Sequence, residues 1–173
     1  VRTDAYGNPL TSSGSPKELL TLKGGVVDEG TYSHPALTDS QRNMIKALIF
    51  AEAGVDNSTG QWQLMAITII NRYMDNRWPD TIKGILSEPG QFAYSKDPNS
   101  NYQKALAYLN KGEVLEHNID SRLDAISAAV DSILDGNYGV YEKYRGVIHH
   151  FARYYRDRGD PTDWADISNI VID

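Results

Sequence analysis

Residues 58–74 constrain the fold of this chain more than any other segment. Ser58 and Gln61 form the capping-box pattern of a helix start, a hydroxyl residue followed three positions later by Gln. The apolar side chains of this segment are Trp62, Leu64, Met65, Ile67, Ile69, Ile70 and Tyr73. Because these positions cover most of the circumference of a helix, they predict a central helix that is buried on nearly all sides.

Further helical patterns surround this segment. Thr38 and Gln41 form another capping box, and Gly54 offers a left-handed stop for the helix behind it. One stripe of that helix carries Ile45, Leu48, Ile49 and Glu52. Shorter helices are predicted over residues 81–86, 102–109 and 123–134, and strands over residues 146–151 and 170–172. The predicted fold class is α+β, mostly α-helical, with a small β element.

Composition sets the domain organisation and excludes several function classes. Residues 1–35 are rich in Gly, Ser, Pro, Thr and Asp and predict an extended N-terminal arm or linker, followed by one domain over 36–173. The net charge of −6 disfavours nucleic-acid binding, which depends on cationic contacts to phosphates. Since no apolar run reaches the roughly 18–20 residues of a membrane span, we predict no membrane insertion. The absence of cysteine excludes thiolate metal sites and cysteine nucleophiles.

Glu52 is the most informative residue, because it lies on the apolar stripe of its helix. It also falls in the last turn, where the helix macrodipole disfavours an anion by about 0.3–1 kcal/mol. Desolvation acts in the same direction and raises a carboxyl pKa. A carboxyl kept partly protonated near neutral pH is suited to general acid catalysis. The alternatives are a surface Glu at a frayed helix end and a core Glu that caps a backbone amide.

Five short elements over residues 51–92 resemble the spore-cortex-lytic and cell-wall hydrolase family. They are Ala51-Glu52-Ala53, Gly60-Gln61, Asn71-Arg72, residues 78–85 and Pro89-Gly90-Gln91-Phe92. The resemblance implies a single lysozyme-like, lytic-transglycosylase-like domain that cleaves peptidoglycan at the glycosidic bond between N-acetylmuramic acid and N-acetylglucosamine. It places the catalytic Glu of the family at Glu52. The chain departs from the family pattern just afterwards, at Gly54, where a basic residue and a second Glu are expected.

The number of nearby carboxyls separates two mechanisms. Glycosidases that use a water nucleophile or a covalent intermediate need two carboxyls, and the only local partner for Glu52 is Asp56. Asp56 follows Gly54, so we expect it to lie off the helix. Glu52 alone could protonate the glycosidic oxygen and then accept the proton of the muramic C6 hydroxyl, which gives 1,6-anhydromuramic ends. If Asp56 faces the cleft, muramidase-type hydrolysis is the alternative.

Sugar binding requires aromatic and amide side chains along a cleft. The candidate substrate-binding residues are Gln91, Phe92 and Tyr94 on a brief extended piece, His150 and Tyr154 on the opposite wall, and Gln61. For Gln61 a purely structural capping role is the favoured interpretation. We expect Asn71 and Arg72 to support the fold through buried hydrogen bonds, and Trp62 and Phe151 to pack in the core.

The four histidines raise a metal enzyme as a rival interpretation. The sequence contains no HExxH motif, and adjacent His149 and His150 on a strand would face opposite sides. Catalytic zinc needs three convergent ligands, so we predict no metal and no other cofactor.

The predicted partners are peptidoglycan glycan strands, reached at the cell wall or spore cortex by export or by delivery in a phage particle. Residues 1–35 would then be the segment that tethers the domain to a larger wall or phage assembly. A non-catalytic wall-binding or virion structural module on the same fold is the alternative from another functional class.

Overall fold

The structure, a computed structural model, describes residues 26–29, 32–53, 58–112, 119–152 and 164–166. The α-helices in this part are α1 (Asp39–Glu52), α2 (Thr59–Met74), α3 (Ile82–Leu86), α4 (Asn101–Lys111) and α5 (Ile119–Leu134). A 3₁₀ helix follows over Gly139–Tyr144, which the sequence analysis did not predict. The mostly α-helical class is confirmed, whereas a lysozyme-like arrangement of these helices stays a prediction.

Helix α2 is the centre of the core, as the distribution of its apolar residues predicts. Leu64, Ile67 and Ile70 are completely buried, and so is Tyr73 near its C-terminal end. Helices α1, α3 and α5 pack against α2, and α4 packs against α1. The helix is therefore covered by neighbours on several sides, which accounts for its nearly continuous apolar surface.

Charged side chains join α1 to α5 beside this core. The carboxylate of Asp131 accepts from Arg42 Nη1 at 2.9 Å and lies 2.8 Å from Lys46 Nζ. Arg42 also pairs with Asp135. Lys46 is 7% exposed, and its pairing with Asp131 compensates for the burial of its ammonium.

The strands are short and form two separate pairs. Strand β1 (Val26–Glu29) pairs antiparallel with β2 (Tyr32–Pro35), and β3 (His150–Ala152) pairs parallel with β4 (Trp164–Asp166). Helix predominates in the described residues and strand is limited to these short pairs, so the β part of the predicted α+β class is corrected and the class is mostly α-helical. The predicted strand over 146–151 is wrong for residues 146–149, because the strand begins only at His150. The strand predicted over 170–172 lies outside the described residues.

Asn71 explains why residues 144–148 turn instead of extending. This side chain on α2 is 1% exposed, and its Nδ2 donates to the carbonyls of Tyr144 and Ile148 at 2.9 and 2.7 Å. Its Oδ1 accepts from the amide of Gly146 at 2.7 Å, and Gly146 has a positive φ of 73°. A straight strand cannot direct three backbone groups toward one side chain, so the segment folds around Asn71. The predicted supporting role of Asn71 is confirmed.

Helix α3 is held close to the turn before it. Thr81 Oγ1 accepts from the amide of Gly84 at 2.9 Å and caps the helix. A Cβ atom at Gly84 would lie 2.8 Å from that oxygen and 3.0 Å from the Cβ of Pro79, closer than carbon atoms approach without displacement. Glycine at this position therefore allows the close contact between α3 and the turn that contains Trp78 and Pro79.

The predicted N-terminal arm lies largely outside the described residues. Its residues 26–29 and 32–35 form the β1–β2 pair, and the boundary at residue 35 stays a prediction. None of the helices in the described ranges combines the length and apolar character that crossing a membrane requires.

Candidate active site

Glu52 is the last residue of α1, as its position in the sequence pattern predicts. Ile45, Leu48 and Ile49 on the same stripe are at most 1% exposed, and the following Ala53 is also buried. The carboxyl itself is partly buried, so it reaches solvent while its stem packs against the core. An acidic group is thereby held at the edge of the apolar interior instead of on the solvated face of the helix.

Two opposing effects set the acidity of Glu52. Burial raises its pKa because it disfavours the charged form. The backbone amide of Ala93 donates to Oε2 at 2.8 Å and acts in the opposite direction, but the net shift is upward. Among the described residues, no charged side chain contributes to this shift. Glu52 therefore remains protonated to a higher pH than an ordinary Glu, as its burial and its place at the helix C-terminus predict.

The contact with Ala93 brings the candidate substrate-binding segment to Glu52. Gln91 is exposed, and Phe92 and Tyr94 are partly buried against the core. The prediction that this piece is extended is wrong for its first residues: Gly90 has a φ of 75°, and the amide of Gln91 donates to the carbonyl of Glu88 at 3.2 Å. A turn therefore carries Gln91 before the chain passes beside the end of α1.

Tyr94 has a structural partner in the core. Its ring lies 4.9 Å from the ring of Tyr102 on α4, centroid to centroid. Tyr102 is 2% exposed, and burial, with a smaller contribution from Tyr94, raises the pKa of its hydroxyl to about 12. One face of Tyr94 is therefore used in packing, which limits the surface that it could offer to a sugar.

Arg72 joins the two predicted walls of the cleft. Its Nε donates to the carbonyl of His149 at 2.6 Å, its Nη1 to Gln91 Oε1 at 3.3 Å, and its Nη2 lies 3.2 Å from His150 Nδ1. The guanidinium also lies 4.8 Å from the ring centroid of Phe92 and 5.5 Å from that of Trp78. The predicted supporting role of Arg72 is confirmed, and its contact with His150 places that candidate near Gln91 and Phe92.

Both adjacent histidines contact the same ring. His149 stacks on Trp78 at 4.7 Å between centroids, and His150 meets its edge at 5.9 Å. The prediction that the two side chains face opposite sides is therefore wrong, because His149 precedes the strand. His149 Nε2 lies 3.2 Å from Asp75 Oδ2. Burial acts to raise the pKa of Asp75, but hydrogen bonds from His149 and Arg77 outweigh it and hold that pKa well below its usual range.

The remaining candidates divide into structural residues and residues outside the described part. Gln61 Oε1 accepts from the amide of Ser58 at 2.8 Å, so this side chain is engaged at the start of α2. Trp62 is 9% exposed, which confirms its place in the core. Asp56, Tyr154 and the side chain of Phe151 lie outside the described residues. Within the part that the structure describes, no cluster of three or more potential ligands could hold a metal ion.

Sequence reasoning did not identify two features of the site. The backbone amide of Ala93 carries no sequence signal, since almost any residue supplies the same donor. Trp78 is not among the predicted site residues, although it lies against Arg72 and both histidines. A large aromatic residue beside a Pro is the signal that could have suggested a packing platform.

Comparison of the chain with family models, with curated proteins and with solved structures gives no match. The resemblance to cell-wall hydrolases therefore depends on the short elements between residues 51 and 92.

Proposed function

We propose that this protein is a peptidoglycan lytic transglycosylase that cleaves the bond between N-acetylmuramic acid and N-acetylglucosamine, with Glu52 as acid and then base. The observation that carries the proposal is that the surroundings of the Glu52 carboxyl favour its protonated form. It lies at the edge of the core, burial raises its pKa, and its Oε2 accepts from the Ala93 amide. A carboxyl that serves only to stabilise a fold is usually paired with a cation.

The chemistry needs one carboxyl and no water nucleophile. Protonated Glu52 donates its proton to the glycosidic oxygen, and the bond from the anomeric carbon of the muramic residue to that oxygen breaks. The N-acetylglucosamine side leaves with a new hydroxyl group. The C6 hydroxyl oxygen of the same muramic residue then bonds to the anomeric carbon, and its proton passes to the Glu52 carboxylate. The enzyme is restored, and the glycan ends in a 1,6-anhydromuramic residue.

The surroundings of Glu52 support a single-carboxyl mechanism over a carboxyl pair. A second carboxylate close to Glu52 would raise its pKa further through charge repulsion. Among the described residues no such contribution is present. Asp56, the candidate second carboxylate, lies outside the described part of the chain, so the experiment must test its role directly.

The segment around Ala93 offers the groups that a glycan strand requires. Gln91 is exposed and carries a planar amide, and Phe92 follows it with an aromatic ring. His150 is linked to Gln91 through Arg72. We propose that Gln91, Phe92 and His150 contact the sugar rings beside the bond that Glu52 protonates, and that the enzyme acts at a cell wall or spore cortex.

The test is mass spectrometry of the soluble products after incubation of the purified protein with vegetative-wall and spore-cortex peptidoglycan. The variants are Glu52→Gln, Asp56→Asn and, as a matched control, Glu88→Gln in the turn before the Ala93 segment. Glu52→Gln keeps the shape of the side chain and loses the proton, so cleavage should fall about 10²- to 10⁴-fold. Asp56→Asn and Glu88→Gln should retain activity.

The products distinguish the possible outcomes. Muropeptides with 1,6-anhydromuramic ends, lost in Glu52→Gln alone, agree with the proposal. Products heavier by one water, lost in Asp56→Asn as well, would replace it with muramidase-type hydrolysis. If the wild-type protein releases no glycan product from either wall but binds to it, the protein is a wall-binding module and the proposal is wrong.

A further inference from the structure

Arg72 is 3% exposed, yet its contacts converge on the segment that holds Glu52. Its guanidinium bonds to Gln91 and lies over the ring of Phe92. On its other side it bonds to the carbonyl of His149. A guanidinium has a rigid, planar set of five N–H donors, so it can fix several groups at defined angles at once.

The contacts of Arg72 end one residue before the amide that binds the carboxyl. Gln91 and Phe92 contact Arg72 directly, and Ala93 donates to Glu52 Oε2. The Ala93 N–H lies in the same planar peptide unit as the Phe92 carbonyl, so a shift of the Phe92 backbone also moves the Ala93 amide. A hydrogen bond of 2.8 Å tolerates displacements of only a few tenths of an ångström before it weakens.

We propose that Arg72 is a positioning residue for Glu52. By holding Gln91 and Phe92 it keeps the Ala93 amide on Oε2. A protonated carboxyl has one donor oxygen and one acceptor oxygen. Because Oε2 accepts from the amide, Oε1 carries the transferable proton and points away from Ala93. The catalytic meaning of this assignment rests on the proposed function.

A positioning role for Arg72 and a purely structural role predict different effects of its substitution. A residue that only stabilises the protein changes its unfolding temperature and leaves the folded site as it was. A positioning residue changes the Ala93–Glu52 bond in a protein that is still folded. It should also lower kcat by about 10- to 100-fold, because a small misplacement of a catalytic group affects the chemical step. A rise in KM would report the displacement of Gln91 and Phe92, which we propose contact the sugar.

The first measurement follows the Ala93 amide proton by NMR as a function of pH. In the wild-type protein this resonance should titrate together with the Glu52 carboxyl, and in Glu52→Gln the titration should disappear. Arg72→Lys keeps the charge but has one donor head, which cannot reach all the acceptors of the guanidinium. Gln91→Met removes the side-chain oxygen that accepts from Arg72 Nη1. Because Gln91 is exposed, this substitution leaves Arg72 and the core in place.

Both variants should reduce the pH-dependent shift of the Ala93 resonance, and its amide should exchange with solvent about tenfold faster. The matched control is Arg77→Lys, the same substitution at an arginine that also lies over Trp78, at 4.7 Å, but whose side chain is 63% exposed. Arg77→Lys should leave the Ala93 titration unchanged.

An unchanged Ala93 titration in folded Arg72→Lys and Gln91→Met would overturn the proposal, and so would an equal change in Arg77→Lys. If Arg72→Lys does not fold, Gln91→Met decides alone. The NMR measurement needs no substrate. If the wild-type protein fails to cleave peptidoglycan, the proposed function falls, and the titration still shows whether Arg72 positions Glu52.

Discussion

Asn71 provides the sharpest test of how the site is held together. Its side chain binds the carbonyls of Tyr144 and Ile148 and the amide of Gly146, and the chain then continues directly into His149 and His150. Asn71→Ala removes all three hydrogen bonds without a change of backbone. We expect this one substitution to loosen the turn over residues 144–148 and the histidines that follow it.

The three lost bonds do not cost the same. The carbonyl of Tyr144 still accepts from the amide of Val147 at 3.0 Å, and Gly146 is exposed, so water can reach its amide. The bond to Ile148 is buried, and its carbonyl then has no solvent to replace Asn71. A buried group left without a partner costs about 1–3 kcal/mol, and a satisfied hydrogen bond contributes about 1 kcal/mol. The expected loss in the free energy of unfolding is therefore about 2–4 kcal/mol.

The assay is urea unfolding followed by circular dichroism, which reports the midpoint and the slope separately. A protein of this size should lose about 5–15 °C in Tm as well. The matched control is Asn43→Ala on α1. Asn43 donates to Asn110 at 2.8 Å in an exposed contact, so its loss should cost less than about 1 kcal/mol. If the two variants differ by less than about 0.5 kcal/mol, the reasoning from buried backbone groups is refuted.

Two further predictions concern α3 and the carboxyl. Gly84→Ala should lower the free energy of unfolding by about 1–3 kcal/mol, because its Cβ would collide with Thr81 and Pro79. The control Lys83→Ala, at an exposed position, should change it little. Equal effects of the two substitutions would contradict this. Burial raises the pKa of Glu52, so its protonated form favours the folded protein. This stability is fully present below the pKa of an ordinary Glu and is lost as the pH rises through the raised pKa. Glu52→Gln should therefore stabilise the fold at neutral pH and not at acidic pH; a pH-independent difference in urea midpoints would refute this sign.

Much of the helical structure follows from local sequence. The reciprocal bonds between Thr38 and Gln41, at 2.8 and 3.1 Å, form as the capping-box pattern predicts. Gly112 and Gly136 follow the ends of α4 and α5 with positive φ, a conformation that glycine adopts readily. These features depend on neighbours three or four residues apart, which the sequence displays directly. The position of Glu52 on the inner face of α1 follows from the same periodicity.

The parts that sequence analysis missed depend on contacts between distant residues. The amide of Ala93 lies 41 residues from Glu52 along the chain, and a backbone donor leaves no trace in residue identity. The turn over residues 144–148 is apolar enough to resemble a strand, yet Asn71 on α2 determines its course through bonds across more than 70 residues. Local patterns describe each segment alone and cannot show which distant side chain binds its backbone.

Glu52 differs from the other buried or partly buried charged residues in the partners that its side chain has. Lys46 is paired with Asp131, Asp75 with His149, and Arg72 with a carbonyl, an amide and a ring nitrogen. Each of these groups has a polar or oppositely charged partner. Glu52 receives one amide at Oε2, and burial opposes its ionisation. A group whose surroundings favour the neutral acid contributes little to stability at neutral pH, and this is the basis on which we propose Glu52 as a general acid.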